Sequence, residues 1–261
     1  MGRILITGST DGFGLEAARQ LVDRKHEVYL HARSQERADQ AKEKCPGAAG
    51  VLIADLTTVA ETRKLAEDAN AIGTFDAIIL NAGLLYGPFR KTEIGVPAQV
   101  FVNLVAPYIL ACLLKHPKRL IFIASVLHHE AKNTDIKDIF WVERREKEWA
   151  DFQAYCDSKF HVVLLANAVA RRFKDTSVTS VHPGYVPTKL AGKEAPGKME
   201  DGVETYVMLA EGDYDTNLTG VYFDPKKERG QTHALTADEN LQEAVVKACE
   251  EITGLKLEGP Q

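Results

Sequence analysis

An open, doubly wound α/β sheet of about seven parallel strands with helices on both faces, folded as one domain over residues 1–261, is the architecture this sequence predicts. Three observations lead to it. Short apolar runs alternate with segments of helical apolar spacing along most of the chain. The runs are apolar at successive positions rather than at every second one, the pattern of strands covered on both faces of a parallel sheet. A chain of 261 residues is also long enough for one such sheet with a sizeable core.

The first strand is "RILIT" at 3–7, and "FGLEAARQLVDRK" after it has helical spacing. "EVYLHA" at 27–32, "GVLIAD" at 50–55, "DAIILN" at 76–81 and "RLIFIAS" at 119–125 are the next four strands. Between them lie "SQERADQAKEK", "TTVAETRKLAEDAN" and the segment from Pro97 to Lys115, each with helical apolar spacing. Alternation of this kind requires right-handed crossovers between parallel neighbours. A long helix containing Tyr155 precedes a sixth strand, "SVTSVHP" at 177–183, and "GVYFD" at 220–224 is the seventh. The last helix is read over 236–254, with Thr236 as N-cap, Glu239 three positions on and Gly254 at its end. Two stretches break the rhythm. Residues 127–152 are dense in both signs of charge and read as a solvated insertion with a short helix, and residues 189–202 combine Gly, Pro and Lys in the manner of a mobile loop.

Composition narrows the function classes. A formal net charge of -5 offers no polycationic surface, so nucleic acid is not an expected partner. Cys45, Cys112, Cys156 and Cys249 form no C-x-x-C pair and have no histidines at metal-ligand spacing. That favours reduced thiols in a cytoplasmic setting and argues against structural zinc. The first strand starts within three residues of Met1, so no signal or transit peptide is expected. The longest apolar runs, such as "VVLLANAVA" from Val162, are too short to span a bilayer, so no membrane anchor is expected either.

"TGSTDGFG", Thr7 to Gly14, joins the first strand to the first helix and places Gly8, Gly12 and Gly14 in the turn. Its G-x-x-x-G-x-G spacing differs from the usual G-x-G-x-x-G dinucleotide fingerprint, but the physics is shared. Missing side chains let backbone approach a pyrophosphate, whose charge is met by N–H groups at a helix N-terminus. The end of the second strand then bears on the adenosine ribose: an acid there suits NAD, an arginine suits the extra phosphate of NADP. This strand ends "LHARS", with Ala32 in the acid's place and Arg33 beside it, which favours NADP(H) over NAD(H). Asp11, inside the turn, adds a negative charge that counts the other way.

"TGSTDGFG", "NAG" at 81–83, Asn103, Ser125 and "YCDSK" at 155–159 occur in this order, and the ordered set resembles a classical short-chain dehydrogenase/reductase from about residue 3 to residue 224. The resemblance implies a single Rossmann-type domain and an oxidoreductase moving hydride between nicotinamide and a carbonyl or alcohol. It implies Asn103, Ser125, Tyr155 and Lys159 as catalytic residues. Tyr155 is the general acid for reduction or base for oxidation. A free phenol near pKa 10 needs a nearby positive charge for that work, and Lys159, one helical turn on, supplies it and reaches the nicotinamide ribose. Ser125 holds the substrate oxygen, and Asn103 holds a water of the proton relay. The cofactor set implied is Gly8, Ser9, Thr10, Gly12, Phe13, Gly14, Arg33, Asp55, Leu56, Asn81, Ala82, Gly83, Tyr155, Lys159, Pro183, Gly184, Val186 and Thr188. His128, His129 and His182 stay outside the catalytic set as loop and strand-end residues.

The chain departs from most classical members in the 30 positions that separate Ser125 from Tyr155. That insertion, the catalytic helix and the C-terminal segment resemble the retinol dehydrogenase and protochlorophyllide reductase branch. Ile136, Ile139, Phe140, Trp141, Trp149 and Phe152, with Tyr185 and Leu190, offer apolar material for a substrate wall, so the expected substrate is a hydrophobic ketone or aldehyde. The same residue types equally serve to pin an insertion to its domain. Relatives often associate through the helix bearing the tyrosine, which makes a homo-oligomer one expectation. Two other classes share parts of the pattern: an NADP(H)-binding regulatory protein without turnover, and a sugar-nucleotide epimerase or dehydratase. The second usually needs a larger C-terminal domain than the about 37 residues after the seventh strand.

Overall fold

Residues 1–144, 146–186 and 195–258 are described by a computed structural model of the chain. The strands are β1 (Arg3–Ile6), β2 (Glu27–Ala32), β3 (Gly50–Ile53), β4 (Ala77–Leu80), β5 (Arg119–Ile123), β6 (Ser177–Val181) and β7 (Val221–Phe223). They form one sheet in the order β3-β2-β1-β4-β5-β6-β7, with every neighbouring pair parallel. Strand order reverses between β1 and β4, and that switch point opens a crevice beyond the carboxyl ends of the strands, as in Rossmann-type sheets.

The helices α1 (Gly12–Asp23), α2 (Gln35–Lys44) and α7 (Met199–Glu211) cover one face, over a core that includes Leu21, Leu30, Ile79 and Tyr206. The other face carries α3 (Val59–Ile72), α5 (Ala106–Leu113), α6 (Asp151–Arg172) and α8 (Glu239–Thr253), over Leu65, Tyr108, Phe122 and Phe160. A short helix α4 (Ala98–Val100) runs into α5 through a π turn at Phe101–Val105. Ser34 caps α2 by accepting from the Arg37 N–H, and Thr58 caps α3 by accepting from the Glu61 N–H. The edge strand β3 is only half-buried, whereas Ile4, Leu5 and Ile6 of the central β1 are fully enclosed.

Three local expectations change. The cap of α8 is Asp238, which accepts from the Asn240 N–H, while Thr236 is buried in a preceding 3-10 turn, Ala234–Ala237; Gly254 ends the helix with φ 68°, as expected. The second strand has the predicted bounds, while the others were read one or two residues too long; at β5, Ala124 and Ser125 leave the strand ahead of a 3-10 turn at Val126–Glu130. The insertion is less solvated than its charge density implies: Ile139, Phe140 and Trp141 are buried in the core. Within the predicted loop at 189–202, residues 189–194 lie outside the described residues and Met199 already begins α7.

Candidate active site

The glycine turn is built by contacts that a Cβ would destroy. Gly8 has φ 62°, and a Cβ there would stand 2.8 Å from the Ala82 Cα; one at Gly14 would stand 2.5 Å from the Asn81 Nδ2. Asn81 stitches the turn to β4, donating from Nδ2 to the Thr7 and Gly8 carbonyls at 2.9 and 3.0 Å and accepting at Oδ1 from the Tyr206 hydroxyl. The Ala82 N–H donates to Thr7 Oγ1 at 3.0 Å. On the far side His31 accepts the Gly8 N–H at Nδ1 (2.9 Å), and its Nε2 meets the Ala54 carbonyl (3.0 Å). Burial drives its pKa down to about 4, so the ring is neutral and carries its proton on Nε2.

These bonds divide the expected cofactor residues. The Ser9 hydroxyl donates to the Ile6 carbonyl and accepts from the His31 N–H, so it serves the turn, and the Gly8 N–H is committed to His31. Phe13 packs its ring against Tyr206, 5.9 Å between centroids. The first N–H groups of α1 are left without a side-chain cap, because the Asp11 carboxylate is held instead by Arg37 and Lys44. An uncapped helix start beneath a glycine cradle fits a pyrophosphate. Arg37 also donates to Thr10 Oγ1 at 2.7 Å, and Arg33 stands exposed at the end of β2. Two further cations therefore join Arg33 beside the turn. Asp55 accepts from the N–H and hydroxyl of Thr57, and Leu56 is buried beside it.

At the carboxyl edge of β4 and β5 the four expected catalytic side chains meet. Asn103 lies in the π turn, an irregularity that recurs at functional sites. Its amide donates to the Leu84 carbonyl (2.9 Å) and the Ser158 hydroxyl (3.0 Å) and accepts from the Leu84 N–H (2.8 Å). Ser158 in turn donates to the Tyr155 carbonyl at 2.8 Å. Lys159 is buried, donates to the Ile123 carbonyl at 2.7 Å and stands 5.5 Å from the centre of the Tyr155 ring. Gly83 leaves space between them: a Cβ there would be 3.3 Å from Asn103 Oδ1 and 3.6 Å from Lys159 Nζ. Tyr155 is buried, and the Ser125 side chain is near enough to favour the ionised phenol.

Electrostatics here runs against the expected direction. Burial raises the Tyr155 phenol to about 12, with the Ser125 hydrogen bond pulling the other way, and burial lowers the Lys159 ammonium to about 7. Burial, and not the neighbouring Lys159, sets the direction of the phenol's shift. Pro183 and Gly184 follow β6, Gly184 with φ 103°, and Val186 is buried. Thr188 and Leu190 lie outside the described residues.

Around this centre the wall residues separate. Trp149 packs its ring on Phe89 and Trp141 and donates from Nε1 to the Gly87 carbonyl at 3.0 Å, tying the insertion to the loop after Gly83. Ile139, Phe140 and Trp141 are core anchors. Tyr86, Val126, Phe152 and Tyr185 are exposed large apolar side chains, each within three positions of an expected site residue. His31, Arg37 and Ser158 were missed in sequence; a polar residue among apolar neighbours was a signal for His31 alone, whereas Arg37 lies in a helix that is polar throughout.

A dinucleotide-type crevice with a buried Tyr–Lys–Ser–Asn group at its edge defines the class: an oxidoreductase acting with a nicotinamide cofactor. The family model for short chain dehydrogenases matches residues 3–134, and the chain belongs to that family. It is 82% identical to short-chain dehydrogenase chry4 of Gibberella zeae over 260 residues, covering all of both chains. It is 80% identical to short-chain dehydrogenase chyC of Penicillium rubens over 98% of this chain and 99% of that one. Human retinol dehydrogenase 13 is a more distant relative, 30% identical over 72% of this chain and 60% of its own length. Among solved structures, an uncharacterized protein of Mycobacterium paratuberculosis shares the fold with a TM-score of 0.81 at 22% identity, over 100% of this chain and 96% of that one. RhlG of Pseudomonas aeruginosa, solved as an NADP active-site complex, does so with a TM-score of 0.64 at 21% identity, over 85% and 93%. The Gibberella zeae, Penicillium rubens and human relatives are all described as dehydrogenases. Among the described residues no helix is long and apolar enough to cross a membrane.

Proposed function

We propose that the chain is an NADPH-dependent reductase of a hydrophobic ketone or aldehyde, with Tyr155 as proton donor. One observation carries the reading: Tyr155, Ser125, Lys159 and Asn103 gather beyond the end of β5, with Ser125 beside the buried phenol where a carbonyl oxygen would be met by both hydroxyls. The nicotinamide, when bound, supplies the hydride. The α1 N-terminus and the glycine turn hold the pyrophosphate, and Arg33 and Arg37 face the extra phosphate. A phenol raised to about 12 stays protonated at neutral pH, the form that reduction requires. Ser125 orients the substrate oxygen toward that proton. Lys159, near neutrality at about 7, can pass a proton to the spent tyrosine, and the amide of Asn103 fixes the backbone beside it. Tyr86, Val126, Phe152 and Tyr185 give the mouth the apolar character that a hydrophobic substrate needs. The three cations beside the turn support the cofactor assignment, and the Pseudomonas aeruginosa neighbour of the same fold is an NADP complex.

The test is Tyr155→Phe, assayed as NADPH oxidation with benzaldehyde, acetophenone and menadione. General acid catalysis of this kind contributes roughly 10²–10⁴-fold, so kcat should fall by at least about a hundredfold while NADPH affinity, read by fluorescence titration, stays within about twofold. A variant that keeps most of its activity removes the assignment.

A further inference from the structure

His128 is the polar side chain that the mechanism leaves unused, although it is fully buried directly behind Ser125. Its Nδ1 lies 2.6 Å from the Ser125 carbonyl, which already accepts the His128 N–H at 3.1 Å. Its Nε2 accepts the His233 N–H at 3.0 Å, from the segment between β7 and the Ala234–Ala237 turn. A 3-10 turn needs only its main-chain bonds, so the imidazole adds a second donor to a carbonyl that is already satisfied. Its faces are closed as well: the ring lies 4.0 Å from that of His129 and 5.2 Å from that of Tyr222. One donor and one acceptor on the same ring require neutral imidazole with its proton on Nδ1. Burial, with His129, His233 and His182 nearby, lowers its pKa to about 4 and keeps it in that form.

We propose that His128 is a positioning residue: its Nδ1–H holds the Ser125 peptide, and with it the Ser125 hydroxyl, in register with Tyr155, while Nε2 ties that peptide to the 231–236 segment. The consequence for Ser125 is direct. Its Oγ accepts from the Leu127 N–H at 3.2 Å inside the same 3-10 turn whose first carbonyl His128 holds, so a Ser125 carbonyl freed from the imidazole loosens the turn that aims the hydroxyl. The inference rests on the reading of Ser125 and Tyr155 given above.

The two ring nitrogens can be tested separately, because an asparagine amide occupies the place of Nδ1 and a glutamine amide that of Nε2. With NADPH and whichever of the three carbonyl compounds turns over fastest, His128→Asn should keep kcat within about threefold of the parent. His128→Gln and His128→Ala should lose about tenfold in kcat, a loss expected of a misplaced hydrogen-bonding group, with KM and NADPH affinity changed less than about twofold. A purely structural role would lower thermal stability in all three without this ordering. Equal kcat for the Asn and Gln variants overturns the proposal, and so does a ¹⁵N NMR spectrum of the NADPH-bound protein showing the His128 proton on Nε2. Failure of the underlying reading looks different, since Tyr155→Phe would then retain turnover whatever the His128 variants do.

Discussion

Tyr155 and Lys159 were legible in the sequence as a pair only through the ordered set that includes Asn103 and Ser125, since their four-residue spacing alone fits two side chains on a helix surface equally well. Their titration was not, since the degree of burial belongs to the fold and not to the spacing. Folding lowers the Lys159 pKa from 10.5 to about 7. Between those values the unfolded chain binds the proton more tightly, so stability rises with pH across the window, and below about 7 the cost of burying the ammonium is fully present. Lys159→Met should therefore raise the melting temperature of the cofactor-free protein at pH 6 and raise it less at pH 9, while activity is lost. An equal shift at both pH values would mean that the ammonium is not desolvated. His31 and Arg37 were illegible for a related reason. Each acts across more than twenty positions, His31 on Gly8 and Arg37 on Asp11, and no local period encodes such a contact.

The elements of the sheet were legible because strands buried on both faces carry a composition that few other structures tolerate. The insertion was not, because its charges are spent internally. Asp157, on α6 between Tyr155 and Lys159, has a fully buried side chain that accepts the Lys132 and Asn133 N–H groups at 2.8 and 3.2 Å. It also takes Gln153 Nε2 at 2.9 Å and Arg144 Nη1 at 3.3 Å. Arg144 in turn pairs with Asp138 and stacks on Trp141, 3.6 Å from the ring centre. A charge-dense stretch thus becomes a folded flap, and Ile139, Phe140 and Trp141, for which the sequence allowed either a pocket wall or an anchor, are buried in the core that holds it. Asp157→Ala strands two main-chain donors and takes one of the two carboxylates from Arg144, which keeps Asp138, and should lower stability by about 2–4 kcal/mol in urea unfolding. Hydrogen exchange should accelerate in 131–144 and not at the start of α1. A loss below about 0.5 kcal/mol would show that the insertion is anchored elsewhere.

At the scale of the whole molecule the crevice joins two halves of the sheet, so a ligand seated across it binds the folded chain and not the unfolded one. That linkage measures cofactor choice without a known substrate. A ligand at a hundred times its Kd stabilises by about 2.7 kcal/mol, a rise of roughly 5–10 °C for a domain of this length. The cations beside the glycine turn set the expected order: NADPH should raise the melting temperature more than NADH at equal concentration. Arg33 is exposed, and its removal should cost little stability by itself, whereas Arg37 also neutralises Asp11 at the mouth of α1. Arg33→Ala should therefore shrink the NADPH shift toward that of NADH. Arg37→Ala should reduce both shifts, because it also removes one of the two cations that neutralise Asp11 beside the place where the pyrophosphate would sit, and the less shielded carboxylate repels either dinucleotide. Equal shifts for the two cofactors in the parent protein would remove the case for NADP and leave Arg33 a solvated surface residue.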